Sequence, residues 1–143
     1  MPLRYIYDEH REIIRRIEHL AQLAATDPLP LDELLSERHA LAQFTNDHLT
    51  READRVLEPM RASNDPEHKA IVRHYIEDMM SVRQASSGHY RRWTAASLRK
   101  DPIGYRADLR RMEAVVRERH HWEETVFLPI AARFAPAAPA GRG

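Results

Sequence analysis

The chain has 143 residues, with 22 basic and 22 acidic side chains that cancel to a formal net charge of zero, and it contains no cysteine. This length suits one domain with its own core. The charge balance gives no footprint for nucleic acid or an anionic membrane, and the missing thiols exclude disulfides, thiolate zinc sites and a cysteine nucleophile. No apolar run approaches the ~20 residues of a membrane span and the M-P-L-R-Y start has no signal-like apolar stretch, so the expected setting is the cytoplasm. Only four glycines occur. With so few turn residues and abundant Ala, Leu, Arg and Glu, an all-α fold is expected.

The first helix is predicted from about Leu3 to Ala25, with Ile6, His10, Ile13, Ile17, Leu20 and Ala24 at three- and four-residue steps. Prolines in T-D-P-L-P-L-D, 26–32, end it. Asp32 is the expected N-cap of a second helix whose inward line is Leu34, Leu41, Phe44, His48 and Glu52, closed by Pro59 and S-N-D-P, 63–66. A third helix is predicted from Pro66 to about Leu98, with Ile71, Tyr75, Asp78 or Met79, Val82, Ser86, His89, Trp93 and Ala96 inward and a kink at S-S-G, 86–88. After K-D-P-I-G, 100–104, the fourth carries Tyr105, Leu109, Met112, Val116, His120, Glu124 and Phe127 to its end near Pro129 to Phe134. Short connections predict an up-down-up-down antiparallel four-helix bundle over residues 1–134, followed by a disordered Ala/Pro/Gly tail, 135–143.

Histidine and carboxylate occupy positions in these seams that should be apolar. H-L-T-R-E at 48–52 and H-H-W-E-E at 120–124 both place a histidine four residues before a glutamate, on one helical face. Burying such groups without compensation costs several kcal/mol. At about 1.5 Å of rise per residue, His10, His48, Glu52, His120 and Glu124 all fall in one layer when counted from the loops. On the third helix Asp78 fits both depth and phase. His89, Glu77 and His74 are weaker candidates: Glu77 points to a flank, and the two histidines lie about 10 Å along the axis from the layer. Three imidazoles and three carboxylates inside a helical bundle describe a dinuclear iron or manganese site. Absence of thiolates argues against structural zinc, leaving zinc as a substitute ion, and magnesium or calcium does not favour histidine.

The ordered set D-E-H-R-E-I-I, D-H-L-T-R-E-A-D-R-V-L-E-P and H-H-W-E-E-T-V-F-L-P resembles the hemerythrin-like (HHE cation-binding) family over about residues 5–134. The resemblance implies two iron ions that meet dioxygen, peroxide or nitric oxide, or that sense iron. Oxygen carriers of that family use a His-x-x-x-His couplet on the third helix, which this chain lacks: Trp93 follows His89 and Asp78 follows His74 at that spacing. A carboxylate there makes the centre more ferritin-like and favours redox turnover, such as peroxide decomposition or ferrous oxidation, over reversible storage. A sensing or interaction domain without catalysis is the alternative, and a metal-free interaction bundle the third. Blander roles suit other residues. Glu9, Glu37, His39 and Glu123 read as surface pairs, and His19, His68 and His121 as solvated flanks. Trp93, Trp122, Met79, Met80 and Met112 read as core filling, and Arg15, Arg16, Arg91, Arg92, Arg110 and Arg111 as dressing for the outer faces. Tyr75, Thr45 and Ser86 are phased to accept or donate behind ligating imidazoles.

Overall fold

In the computed structural model residues 3–134 are described, and the tail 135–143 lies outside them. The apolar stripe of the first segment winds into α1 (Arg4–Ala24), which buries Ile6, His10, Ile13, Ile17, Leu20 and Ala24 on one face. The second rod begins as α2 (Leu31–Glu52), passes through a π-helical turn at Ala53–Leu57 and continues as α3 (Glu58–Arg61). It starts before Asp32: Leu34 N–H bonds to Pro30 O, so Asp32 lies in the first turn, where its charge suits the helix dipole. Pro59 does not end this rod. It falls in the first turn of α3, where a missing N–H costs little, just after the wider π-turn.

α4 (Pro66–Arg92) opens with Asp65 accepting from Glu67 N–H at 2.8 Å and Pro66 in its first turn. It runs through Ser86, Ser87 and Gly88 without a break. The break comes instead at Trp93–Thr94, where the Thr94 hydroxyl accepts from Ser97 N–H and starts the short α5 (Ala95–Lys100). Asp101 then caps α6 (Pro102–Trp122) by accepting from Gly104 N–H at 2.9 Å. A second π-turn, Glu123–Phe127, joins α6 to α7 (Leu128–Phe134). The described residues are therefore all-helical, in five rods where four were expected, because Thr94 divides the third.

α1 packs on α2 and α6, α4 on α6 and α3, and α5 on α2 and α6. Their apolar faces form two cores. Ile13, Ile17, Leu20, Leu34, Trp93, Leu98, Tyr105 and Leu109 make one, while Leu3, Ile6, Val56, Met60, Val72, Tyr75, Phe127 and Leu128 make the other. On α1 the boundary between them falls between Ile6 and Ile13, at His10. None of the described helices is long and apolar enough to cross a membrane.

Phe127 is fully buried whereas Ile103 is 77% exposed. Urea unfolding should show Phe127→Ala losing about 3–5 kcal/mol and Ile103→Ala staying within about 0.5 kcal/mol of the parent. Equal losses would contradict this arrangement of the core.

Candidate metal centre

Between the two cores lies a layer of buried polar groups: His10 from α1, His48 and Glu52 from α2, and Arg119 and Glu123 from α6 and the turn after it. His10, His48 and Glu52 bring one ligand atom each within 4.8 Å of one another. His48 Nε2 lies 3.2 Å from Glu52 Oε2. His10 Nε2 lies 3.7 Å from the same oxygen and 3.3 Å from Glu123 Oε1. Three of these inner atoms, His10 Nε2, Glu52 Oε2 and Glu123 Oε1, are shielded from solvent without a hydrogen-bond partner.

The outer nitrogen of each imidazole is engaged. His10 Nδ1 is 2.7 Å from Glu124 Oε2, and His48 Nδ1 is 2.8 Å from Glu9 Oε1. Arg51 donates to the other oxygen of Glu9 at 2.5 Å. A histidine whose Nδ1–H is fixed by a carboxylate presents Nε2 as a lone-pair donor, which is how protein ligands to metals are usually oriented. Tyr75 donates its hydroxyl to Glu52. Orphaned inward atoms and oriented imidazoles together fit a bound cation of the kind that histidine and carboxylate prefer.

The electrostatics reflect this crowding. Burial lowers the basicity of His10, but the carboxylates of Glu123, Glu52 and Glu124 outweigh it and raise the imidazole to about 10. His48 rises too, burial being outweighed by Glu52 and Glu9. Burial opposes ionisation of Glu52, yet His10 and His48 hold it well below the usual carboxylate range. Glu123 moves the other way, pushed up by burial and by Glu52 beside it.

Sequence and structure part company on α6 and α4. The couplet His120/Glu124 was expected to face inward, but the buried couplet is Arg119/Glu123, one residue earlier. His120 is half-buried and stacks face to face on His10, ring centroids 3.8 Å apart and planes 6° apart. Burial and the charges of His10 and His48 push it down to about 2. Glu124 supports His10 from the partly exposed side. Glu123, read as a surface residue, is only 2% exposed, and Glu9 also belongs to the layer. Asp78 does not join the inner atoms, because Arg119 Nη1 takes its carboxylate at 2.9 Å. Glu77 and His74 are exposed, the latter against Trp122. Thr45 is half-buried and Ser86 exposed, and neither supports an imidazole.

Next to the layer is a cavity of about 510 Å³, walled largely by apolar side chains such as Ile13, Leu41, Val82, Met112 and Val116. His48, Arg119, His120 and Glu123 also line it, as do Arg38, His89 and Tyr105. It exists because α4 buries only Val72 and Tyr75, leaving the rest of that helix half-buried or exposed. His89, a weaker ligand candidate, bonds instead to Asp108 Oδ2 at 2.7 Å, and Trp93 Nε1–H donates to that oxygen at 2.9 Å.

Burial lowers the basicity of His89. It raises Asp108, but bonds from His89, Trp93 and Arg111 prevail and hold that carboxyl well below its ordinary value of 3.8. The stability Asp108 contributes is therefore present above pH 3.8 and lost as pH falls below it. Asp108→Asn should cost about 1–3 kcal/mol near neutrality. In denaturant titrations the gap from the parent should narrow as pH drops below that value.

No protein-family model matches the chain, and neither does any curated protein or solved structure.

Proposed function

We propose that the chain is a metal-binding protein of the hemerythrin-like kind, an up-down-up-down four-helix bundle that holds iron in the His10, His48 and Glu52 group and meets a small oxidant or diatomic gas there. One observation carries this reading: three solvent-shielded polar atoms without a hydrogen-bond partner, from three different rods, converge with His10 Nε2 at 3.7 Å from Glu52 Oε2 and 3.3 Å from Glu123 Oε1. Several kcal/mol of desolvation per group has to be offset, and a cation offsets it at the point where those atoms converge.

The ion in this reading is iron, with manganese or zinc as substitutes; imidazole and carboxylate suit all of them. Bound iron supplies a redox-active Lewis acid toward dioxygen, peroxide or nitric oxide. The chain's own residues do the rest. Glu9 and Glu124 orient the imidazoles, Tyr75 holds one oxygen of Glu52 by its hydroxyl, and the largely apolar wall of the cavity suits small uncharged molecules. Ferrous iron is maintained by a reducing compartment, so a cytoplasmic location belongs to the same proposal.

A second reading is that metal occupancy regulates the fold for a partner, without turnover. The position of the layer between two separate cores supports it, since any ion bound there ties rods from both together. An ion at a hundred times its dissociation constant adds about 2.7 kcal/mol to stability, enough to change the population of a marginal state.

After chelator-free purification and anaerobic loading with ferrous iron, elemental analysis should find the ion retained by the parent and by His74→Ala. It should be lost from His48→Ala and Glu52→Ala. Retention by the last two, or no retention by the parent, sinks the metal reading. In the loaded protein, Val116→Trp should leave iron content unchanged yet slow nitric oxide binding followed by stopped-flow absorbance. Peroxide consumption by the parent then favours catalysis, whereas a thermal shift without consumption favours the regulatory reading.

A further inference from the structure

The expected balance of the layer requires two cations, and one side of it already contains a cation. Arg119 is 6% exposed. Its Nε donates to Glu123 Oε2 at 2.6 Å, and its Nη1 donates to Asp78 Oδ2 at 2.9 Å and to Tyr75 O at 3.2 Å. The guanidinium carbon lies 4.2 Å from the ring centroid of Tyr75 and 5.2 Å from that of Trp122. Tyr75 in turn donates to Glu52 Oε1.

This divides the oxygens of the two inner carboxylates into two sets. Glu52 Oε1 and Glu123 Oε2 are occupied by Tyr75 and Arg119, whereas Glu52 Oε2 and Glu123 Oε1 have no hydrogen-bond partner and face the Nε2 atoms of His10 and His48 at 3.2–3.7 Å. Asp78, the carboxylate expected from α4 as a ligand, is paired with the same guanidinium. A second ion bridging these carboxylates would need the oxygens that Arg119 and Tyr75 hold.

We propose that the centre takes one metal ion, at His10 Nε2, His48 Nε2, Glu52 Oε2 and Glu123 Oε1, and that the guanidinium of Arg119 is the built-in second cation. The inference rests on the metal reading above and narrows it. A guanidinium suits this place because it stays charged at any physiological pH and its planar fork serves two carboxylates and a carbonyl together. Two imidazoles with carboxylate at one ion is also a donor set from which mononuclear non-haem iron sites are made. Arg119 then positions Glu123, leaving Oε1 rather than Oε2 to face the ion.

The test is a count of ions in the full chain, loaded anaerobically with excess ferrous iron, freed of unbound metal and then oxidised. The parent should retain about one iron per chain, with the electron paramagnetic resonance signal of an isolated ferric ion. About two irons per chain, with a spin-coupled and silent ferric pair, would overturn the inference and leave the metal reading intact. No retained iron overturns both. Arg119→Gln frees Glu123 Oε2 and Asp78, and its stoichiometry should rise about twofold. A folded Arg119→Gln protein that still stops at one ion would show that the guanidinium is not what fills the second place. Should that variant not fold, Arg119→Lys keeps a cation there and should hold about one iron, two again counting against the proposal.

Discussion

Desolvation of charge governs this molecule. Removing a carboxylate or imidazolium from water costs several kcal/mol per ion even after relaxation, whereas burying a large apolar side chain returns about 1.5–3 kcal/mol. The layer contains His10, His48, Glu52, Arg119 and Glu123, all between 0% and 6% exposed. Imidazole and guanidinium face carboxylate across it, and an apolar core closes it on either side. Apolar replacements of similar volume at such positions are often neutral or stabilising. Stability therefore does not account for five charged or titratable residues in one section.

Both couplets adjoin a π-helical turn. On the second rod the turn begins at Ala53, after Glu52, so His48 and Glu52 keep the ordinary four-residue register and both reach the layer. On the last rod the turn begins at Glu123, inside the couplet, and the inward pair is Arg119 and Glu123. Counted at about 3.6 residues per turn from Tyr105, the seam passes between Arg119 and His120 and then reaches Glu123, so three- and four-residue steps alone do not separate the two couplets. The identity of Arg119 as a buried cation had no signal either, because an arginine next to histidine reads as surface until its partners are seen. Glu9, adjacent to His10, was hidden for a similar reason: its target, His48, is on another helix.

More of the fold was legible than of the site. The stripe of α1 and the start of α4 at Pro66 followed from residue type and spacing. The end of α4 did not, since Thr94 is a cap only once Ser97 N–H reaches it, while S-S-G looks like a breaker and is tolerated within the helix. That Asp32 and Pro59 mark no boundaries reflects the same limit: a proline or acidic residue is equally at home inside a first turn.

The third helix gives the layer its access. α4 is fastened near its first half by Val72, Tyr75 and the Asp78–Arg119 pair. At its far end Arg38 donates to the carbonyls of Trp93 and Tyr90 at 2.8 and 3.3 Å, satisfying acceptors that a helix C-terminus leaves open. Between these points no residue of the helix is buried, and the cavity lies against that stretch. A span with few buried apolar contacts has a low local opening free energy, while the pinned ends keep it from leaving. The same guanidinium that neutralises Glu123 also anchors this span through Asp78. Charge balance at the centre and the position of the wall beside it thus depend on one side chain.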